Sequence, residues 1–436
     1  MLLRVILENF LSFDEPVQFD MFPNIKRTTF AEHIYSQDVP VLKQAAIYGA
    51  NGAGKSNLVN GIKFLRRLAI DKDFLSRVEL NRYFYQLKDN AEVEPMKLLI
   101  EFKQAELYFI YSVEISKDGV EKEELYLSGK GNGVSQPIFI REKSEIKLEK
   151  NMPESVAVAT QRMLKKNPFS SLIALNQDFP IVEDKRVKNV FNWFKINLTL
   201  IDVNSNLPAL LDIMYKDKAL MRFTNQLFSK LDLGIKELKV DSKDFDAWLS
   251  KHVDAKLPKA EVDSMKPGES LIHFAADRQV FSISMEDGIR KVREFLFHQF
   301  GKEGYIGDMD IRSQSDGTVR LLTLVPAIYG AVCREDRTVV IDEIDHGIHP
   351  SLICGLVKYF AQNKETKGQL IFTTHETCLL NQKEIMRPDE VWFAQKKEGA
   401  TLLYSLNDFK IHNSISIENG YLEGRYGAIP FIGSLD

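Results

Sequence analysis

The chain has 436 residues, 44% hydrophobic and 27% charged, with 57 basic against 61 acidic side chains and a formal net charge of −4. This is an ordinary globular composition with material for two or three domains and a large core. It excludes a generally basic nucleic-acid binder, so any such affinity needs a local patch. No run of about 18 apolar residues exists, so no membrane span is expected.

The start, MLLRVILENF, is interrupted by Glu8 and Asn9 and is too short for a signal peptide. Residues 2–7 read as a strand, NFLSF as a turn and PVQFDMF as a second strand. VLKQAAIY, residues 41–48, is an apolar run that ends in a Gly-rich loop. After that loop Leu58, Ile62, Leu65 and Leu68 recur at helical spacing. Between 95 and 150, PMKLLIEFK, LYFIYSVEI, EKEELYL and PIFIREK are β-rich, with KDG and KGNG as hairpin signals between them. They predict an antiparallel meander.

From about 156 to 300 the pattern turns mainly helical, in SLIALN, RVKNVFNWF, LPALLDIMY, MRFTNQLFSKL and IRKVREFLFHQF, with LPKAEVDSMKPGES as a loop. A helix over 317–329 then precedes the strand RTVVIDEID, and a helix over 351–362 precedes the strand QLIFTTHE. VWFAQ and TLLYSL follow as strands. Strands alternating with helices imply an α/β fold with a largely parallel sheet. The expected organisation is a first lobe at 1–155, a mainly helical insertion at 156–300, a second lobe at 301–410 and a tail at 411–436. The tail, with Tyr421, Tyr426, Ile429 and Phe431, is too short to fold alone and must dock on this chain or on a partner. Cys333, Cys354 and Cys378 are widely spaced without a CxxC pair. Neither a disulfide framework nor a zinc site is expected, and a reducing cytoplasm fits.

YGANGAGKSNL, residues 48–58, matches the phosphate-loop pattern between a strand and a helix, the context its mechanism requires. Gly49, Asn51, Gly52, Gly54, Lys55, Ser56 and Asn57 are the expected nucleotide-binding residues. The glycines turn backbone N–H groups toward phosphate oxygens, Lys55 reaches the β- and γ-phosphates, and the Ser56 hydroxyl binds Mg²⁺. TVVIDEID, residues 338–345, is a Walker B candidate: Asp342 at a strand's carboxyl end for the Mg²⁺ shell, Glu343 as general base. Ser56 and Asp342 lie 286 residues apart, and so long an insertion suits an ABC-type head.

SQSDGTVRLL, residues 313–322, places Ser315 and Gly317 at a helix start before Walker B, as in a variant ABC signature. Such a helix end binds anions, here the γ-phosphate held by another protomer, although an ordinary helix cap reads the same way. His375, ending IFTTH, is placed to sense the γ-phosphate. Gln86 in YFYQLKD is a candidate Mg²⁺ contact and equally an exposed polar residue. His346 and His349 form an HxxH without further ligands, which favours a structural or dimer-contact role. A basic segment from Arg162 to Lys195 is either a nucleic-acid patch or a solvated helix face, since Glu183 and Asp184 interleave.

In order, ENFLSF, GANGAGKSNL, SDGT, VVIDEIDHGIHP and TTHET resemble the ABC-like ATPases of the overcoming-lysogenization-defect type, filed among "AAA" ATP-binding proteins and kin to chromosome-maintenance heads. The segment VWFAQ through GAIPF resembles stand-alone defence ATPases of the RloA or PARIS kind, which act beside a separate effector. The resemblance spans roughly 1–110 and 300–436. It implies ATP and Mg²⁺ as cofactors and a homo-oligomer closing around ATP. Lys55 of one copy then faces Ser315 of another, Glu343 is the base and His375 the switch. It further implies an effector, of Toprim nuclease type, that is held or released. A DNA-binding repair or replication clamp is the alternative from the same head family. Two departures stand out: Asp316 where transporter signatures have Gly, and His349 where repair ATPases have Asp.

Overall fold

The computed structural model describes the chain apart from residues 37, 90–92, 131–132, 150–153, 180, 183, 204–207, 253–258, 275–279, 411–415 and 431–436. It divides into two compact units, residues 1–202 with 331–344 and 357–436, and residues 203–330 with 345–356. Phe431 of the tail lies outside the described residues.

The first unit holds two sheets. One is antiparallel, with strand order Glu145–Leu148, Gln136–Glu142, Gly119–Leu127, Leu107–Ser116, Met96–Gln104, Leu2–Glu8 and Val17–Asp20. Four of these strands come from the expected meander segments, and alternation of apolar residues puts one face in the core. The second has the order Leu198–Ile201, Thr338–Ile341, Gln369–Thr373, Gln44–Tyr48, Val391–Lys397 and Ala400–Ser405. Its first five strands run parallel and the last returns as an antiparallel hairpin. Gln44–Tyr48, Thr338–Ile341 and Gln369–Thr373 are buried at every position. This is the signature of parallel strands covered on both faces. Helix Lys55–Ile70 buries Leu58, Ile62, Leu65 and Leu68, the stripe read from spacing, in the same core.

The tail docks on its own chain. Helix Ile417–Leu422 brings Tyr421 flat against Phe393 (ring centroids 5.5 Å apart), and Tyr426 stacks on the same ring at 5.9 Å. The Tyr404 hydroxyl donates to the Tyr426 carbonyl at 2.7 Å, and Thr377 bonds Glu418 at 3.1 Å. A short aromatic segment that cannot bury its rings alone is thus held by the sheet that carries the phosphate loop.

SLIALN and RVKNVFNWF of the insertion are largely helical as expected, in Leu172–Asp178 and Lys185–Asn192, and the second unit corrects the helical expectation for the insertion's later part. Helices Pro208–Lys216 and Lys218–Lys230 are present. They are followed by an antiparallel sheet ordered Ile235–Asp244, Ile289–Phe300, Val280–Glu286 and Ser270–Phe274, with Ile306–Met309 also on Ile289–Phe300. IRKVREFLFHQF is a strand, not a helix. Its apolar residues recur at the helical spacing of three to four, and pairing with a strand on each side, Ile235–Asp244 and Val280–Glu286, makes it a strand that buries Val292, Arg293, Phe295 and Phe297. Within the expected loop, Lys259–Asp263 forms a short helix.

Two further details bear on the sequence reading. In the basic segment Arg186 is already held by Asp184 and Glu149. Among the described residues no helix is long and apolar enough to cross a membrane.

Candidate nucleotide-binding and hydrolysis site

The loop from Gly49 to Gly54 connects the Gln44–Tyr48 strand to the Lys55–Ile70 helix. Two of its glycines are fixed by their surroundings. A β-carbon on Gly49 (φ 155°) would lie 2.3 Å from the Ala394 carbonyl oxygen. One on Gly54 (φ 105°) would lie 2.2 Å from Thr401 Oγ1. Both backbone angles are left-handed, where side chains are strained. Gly54→Ala is therefore expected to destabilise the fold by roughly 2 kcal/mol, measured as a lowered denaturation midpoint, and to weaken nucleotide binding.

The loop is braced by residues that sequence reasoning missed. Thr401 Oγ1 lies 2.7 Å from Ser12 Oγ and 2.8 Å from the Ala53 carbonyl, while Asn57 donates to Ser12 at 2.8 Å. Asn57 thus supports the loop, and Asn51 and Gly52 stand exposed at its tip. A cleft of about 920 Å³ opens along Gly49 to Ala53, with His375 and Thr377 on one side and the tail's Tyr421, Leu422 and Ile429 on another.

Lys55 lies folded along the loop. Its buried Nζ donates to the Gly49 carbonyl at 2.7 Å and stands 2.9 Å from Nε2 of His375. An ammonium at that distance needs an acceptor, so Nε2 carries no proton in this arrangement. The helix N-terminus, Lys55 and His375 therefore converge on one point, where an anion is favoured.

Asp342 follows the last residue of its strand. Its Oδ1 accepts from Ser56 Oγ at 3.1 Å and from Thr373 Oγ1 at 2.6 Å. A hydroxyl and a carboxylate side by side at the end of a parallel sheet form the hard oxygen set that suits Mg²⁺ brought with phosphates. Among the described residues no group of three or more His, Cys, Asp or Glu could hold a metal ion. Glu343 follows Asp342 with φ 50°, and its N–H donates to Thr373 Oγ1 at 2.7 Å.

The remaining candidates divide. Gln86 donates to the Asn81 and Phe84 carbonyls of its own turn at 2.7 and 3.1 Å, and no described contact joins it to Ser56 or Asp342. Ser315 lies in the second unit and caps helix Asp316–Cys333, accepting the Thr318 N–H at 3.1 Å. Gly317, in that first turn, leaves room for the Gly347 carbonyl, which would sit 3.0 Å from any β-carbon there. His349 bonds Ser351 at 2.8 Å, a local contact at the start of helix Pro350–Gln362.

Comparison with solved structures finds similarity to an SMC head bound to the C-terminal winged-helix domain of ScpA, at 12% identity, 97% coverage of this chain, 99% of the other and a TM-score of 0.46. The SMC head domain from Thermotoga maritima is similar at 11% identity, 94% and 99% coverage and a TM-score of 0.43. No curated protein matches in sequence. Residues 45–381, from the phosphate-loop strand to beyond His375, match the sequence profile of a protein family. With a P-loop, a Walker B strand and a histidine gathered at one sheet edge, the chain belongs to the P-loop ATPase family described as "AAA domain, putative AbiEii toxin, Type IV TA system".

Proposed function

We propose that this chain is the ATP-binding and hydrolysing subunit of a prokaryotic anti-phage defence complex, closing as a homo-oligomer around ATP and holding or releasing a separate effector of nuclease type. One observation carries the ATPase part: Lys55 with His375, and Ser56 with Asp342, meet within one compact unit although their sequence positions are far apart. The loop N–H groups and Lys55 bind the phosphates. Ser56 and Asp342 hold Mg²⁺, which when bound offsets phosphate charge. Glu343 takes a proton from the attacking water, and His375 registers whether a γ-phosphate is present.

The defence role rests on the resemblance of the motifs and the tail to stand-alone defence ATPases. The clamp alternative leans on the Arg162–Lys195 segment, where Arg186 is already engaged by two carboxylates, so the geometry adds no support to DNA binding. The composite site, with Ser315 contributed in trans, is supported by its place at a helix N-terminus.

Complementation tests it. Lys55→Ala and Ser315→Ala chains are each expected to be inactive. Mixed in equal amounts, random pairing into dimers restores roughly a quarter of the wild-type ATPase rate. A mixture with no more activity than its parts would sink the shared site. Co-purification of the effector, with nucleotide present or absent, tests the partner.

A further inference from the structure

Thr373 ends the strand Gln369–Thr373, whose parallel register sets Phe372 opposite Ile341. One step further along, that register brings Thr373 level with Asp342. Its hydroxyl, fully buried, forms two bonds at once. It donates to Oδ1 of Asp342 at 2.6 Å and accepts the N–H of Glu343 at 2.7 Å. A single side chain from the neighbouring strand therefore grips both the carboxylate assigned to Mg²⁺ and the backbone of the residue assigned as base.

The grip has something to hold. Glu343 sits at φ 50°, a left-handed backbone that crowds the β-carbon of an L-residue and that relaxes unless its surroundings fix it. Without an acceptor for its N–H, the peptide between Asp342 and Glu343 is free to rotate, and the Glu343 carboxylate turns away. Asp342 is constrained in the same stroke, since Ser56 and Thr373 both donate to the same oxygen.

We propose that Thr373 is a positioning residue for hydrolysis: it sets the orientation of the Asp342 carboxylate toward Mg²⁺ and holds Glu343 in the backbone conformation that aims its carboxylate at the attacking water. This rests on the ATPase reading and deepens it. Thr373 itself touches no reacting atom; it acts through its two neighbours.

The test compares Thr373→Val with Thr373→Ser. Valine keeps the branched shape in a buried strand and removes both hydrogen bonds; serine keeps the hydroxyl. Steady-state ATPase kinetics give kcat and KM, and a fluorescent ATP analogue gives affinity with and without Mg²⁺. Thr373→Val is expected to lower kcat by roughly tenfold to a hundredfold, to leave KM within about threefold, and to shrink the gain in affinity that Mg²⁺ provides. Thr373→Ser is expected to restore most of kcat, and the thermal midpoint of Thr373→Val to stay near wild type. Wild-type kcat and Mg²⁺ dependence in Thr373→Val overturn the proposal. So does a serine variant as defective as the valine one. If wild-type protein has no ATPase activity and Lys55→Ala binds ATP unchanged, the parent reading fails instead. The Mg²⁺-dependent binding also reports on Thr373 in a Glu343→Gln background, where no turnover intrudes.

Discussion

Glu343→Gln is expected to abolish ATP turnover, by roughly a hundredfold to ten-thousandfold, while leaving ATP binding intact. The amide matches the carboxylate in size but cannot accept a proton from water. Nothing that binds the phosphates is altered: Lys55, Ser56 and the loop keep their positions, and the Glu343 N–H still donates to Thr373. A site that binds but cannot discharge its ligand accumulates the ATP-bound state, so the closed oligomer builds up. Size-exclusion chromatography with and without ATP reads the oligomer, and single-turnover hydrolysis reads the chemistry. Turnover near the wild-type rate would remove Glu343 from its role and move the base elsewhere.

Lys55→Ala acts one step earlier and is expected to weaken ATP affinity by roughly a hundredfold or more, since it removes a charge-assisted contact to two phosphates. The position of Lys55 makes this loss larger than that of a surface lysine. Its Nζ is buried, held by the Gly49 carbonyl, and stands beside His375, so its charge is focused on the mouth of the loop. Equilibrium titration with a fluorescent ATP analogue measures it. Unchanged affinity would show that the loop is not a phosphate cradle. The two variants separate binding from chemistry: one fills and does not turn over, the other does not fill.

The motifs were legible because each is a short stretch whose chemistry is set by neighbours in sequence. Gly49 to Ser56 must form a turn before a helix, and Thr338 to Glu343 must be a buried strand ending in acids. What joins them was not legible. Thr373 meets Asp342 through strand register, and Thr401 meets Ser12 through the packing of a C-terminal hairpin on an N-terminal turn. No local pattern encodes either pairing. Ile289–Phe300 was misread because a single amphipathic run can serve a helix or a strand until its neighbours choose, here Ile235–Asp244 and Val280–Glu286. The tail was legible as a segment needing a dock, and the dock itself, Phe393, emerged only in the fold.

The order of strands in the parallel sheet has a consequence for biosynthesis. Gln44–Tyr48 is made well before either strand that flanks it, Gln369–Thr373 and Val391–Lys397. The nascent phosphate-loop strand therefore lacks both of its sheet neighbours until residues 369–397 have been made. Its closure is a long-range event of the kind that makes folding slow. A chain cut short before residue 369 carries the entire P-loop sequence and cannot assemble the sheet that shapes it.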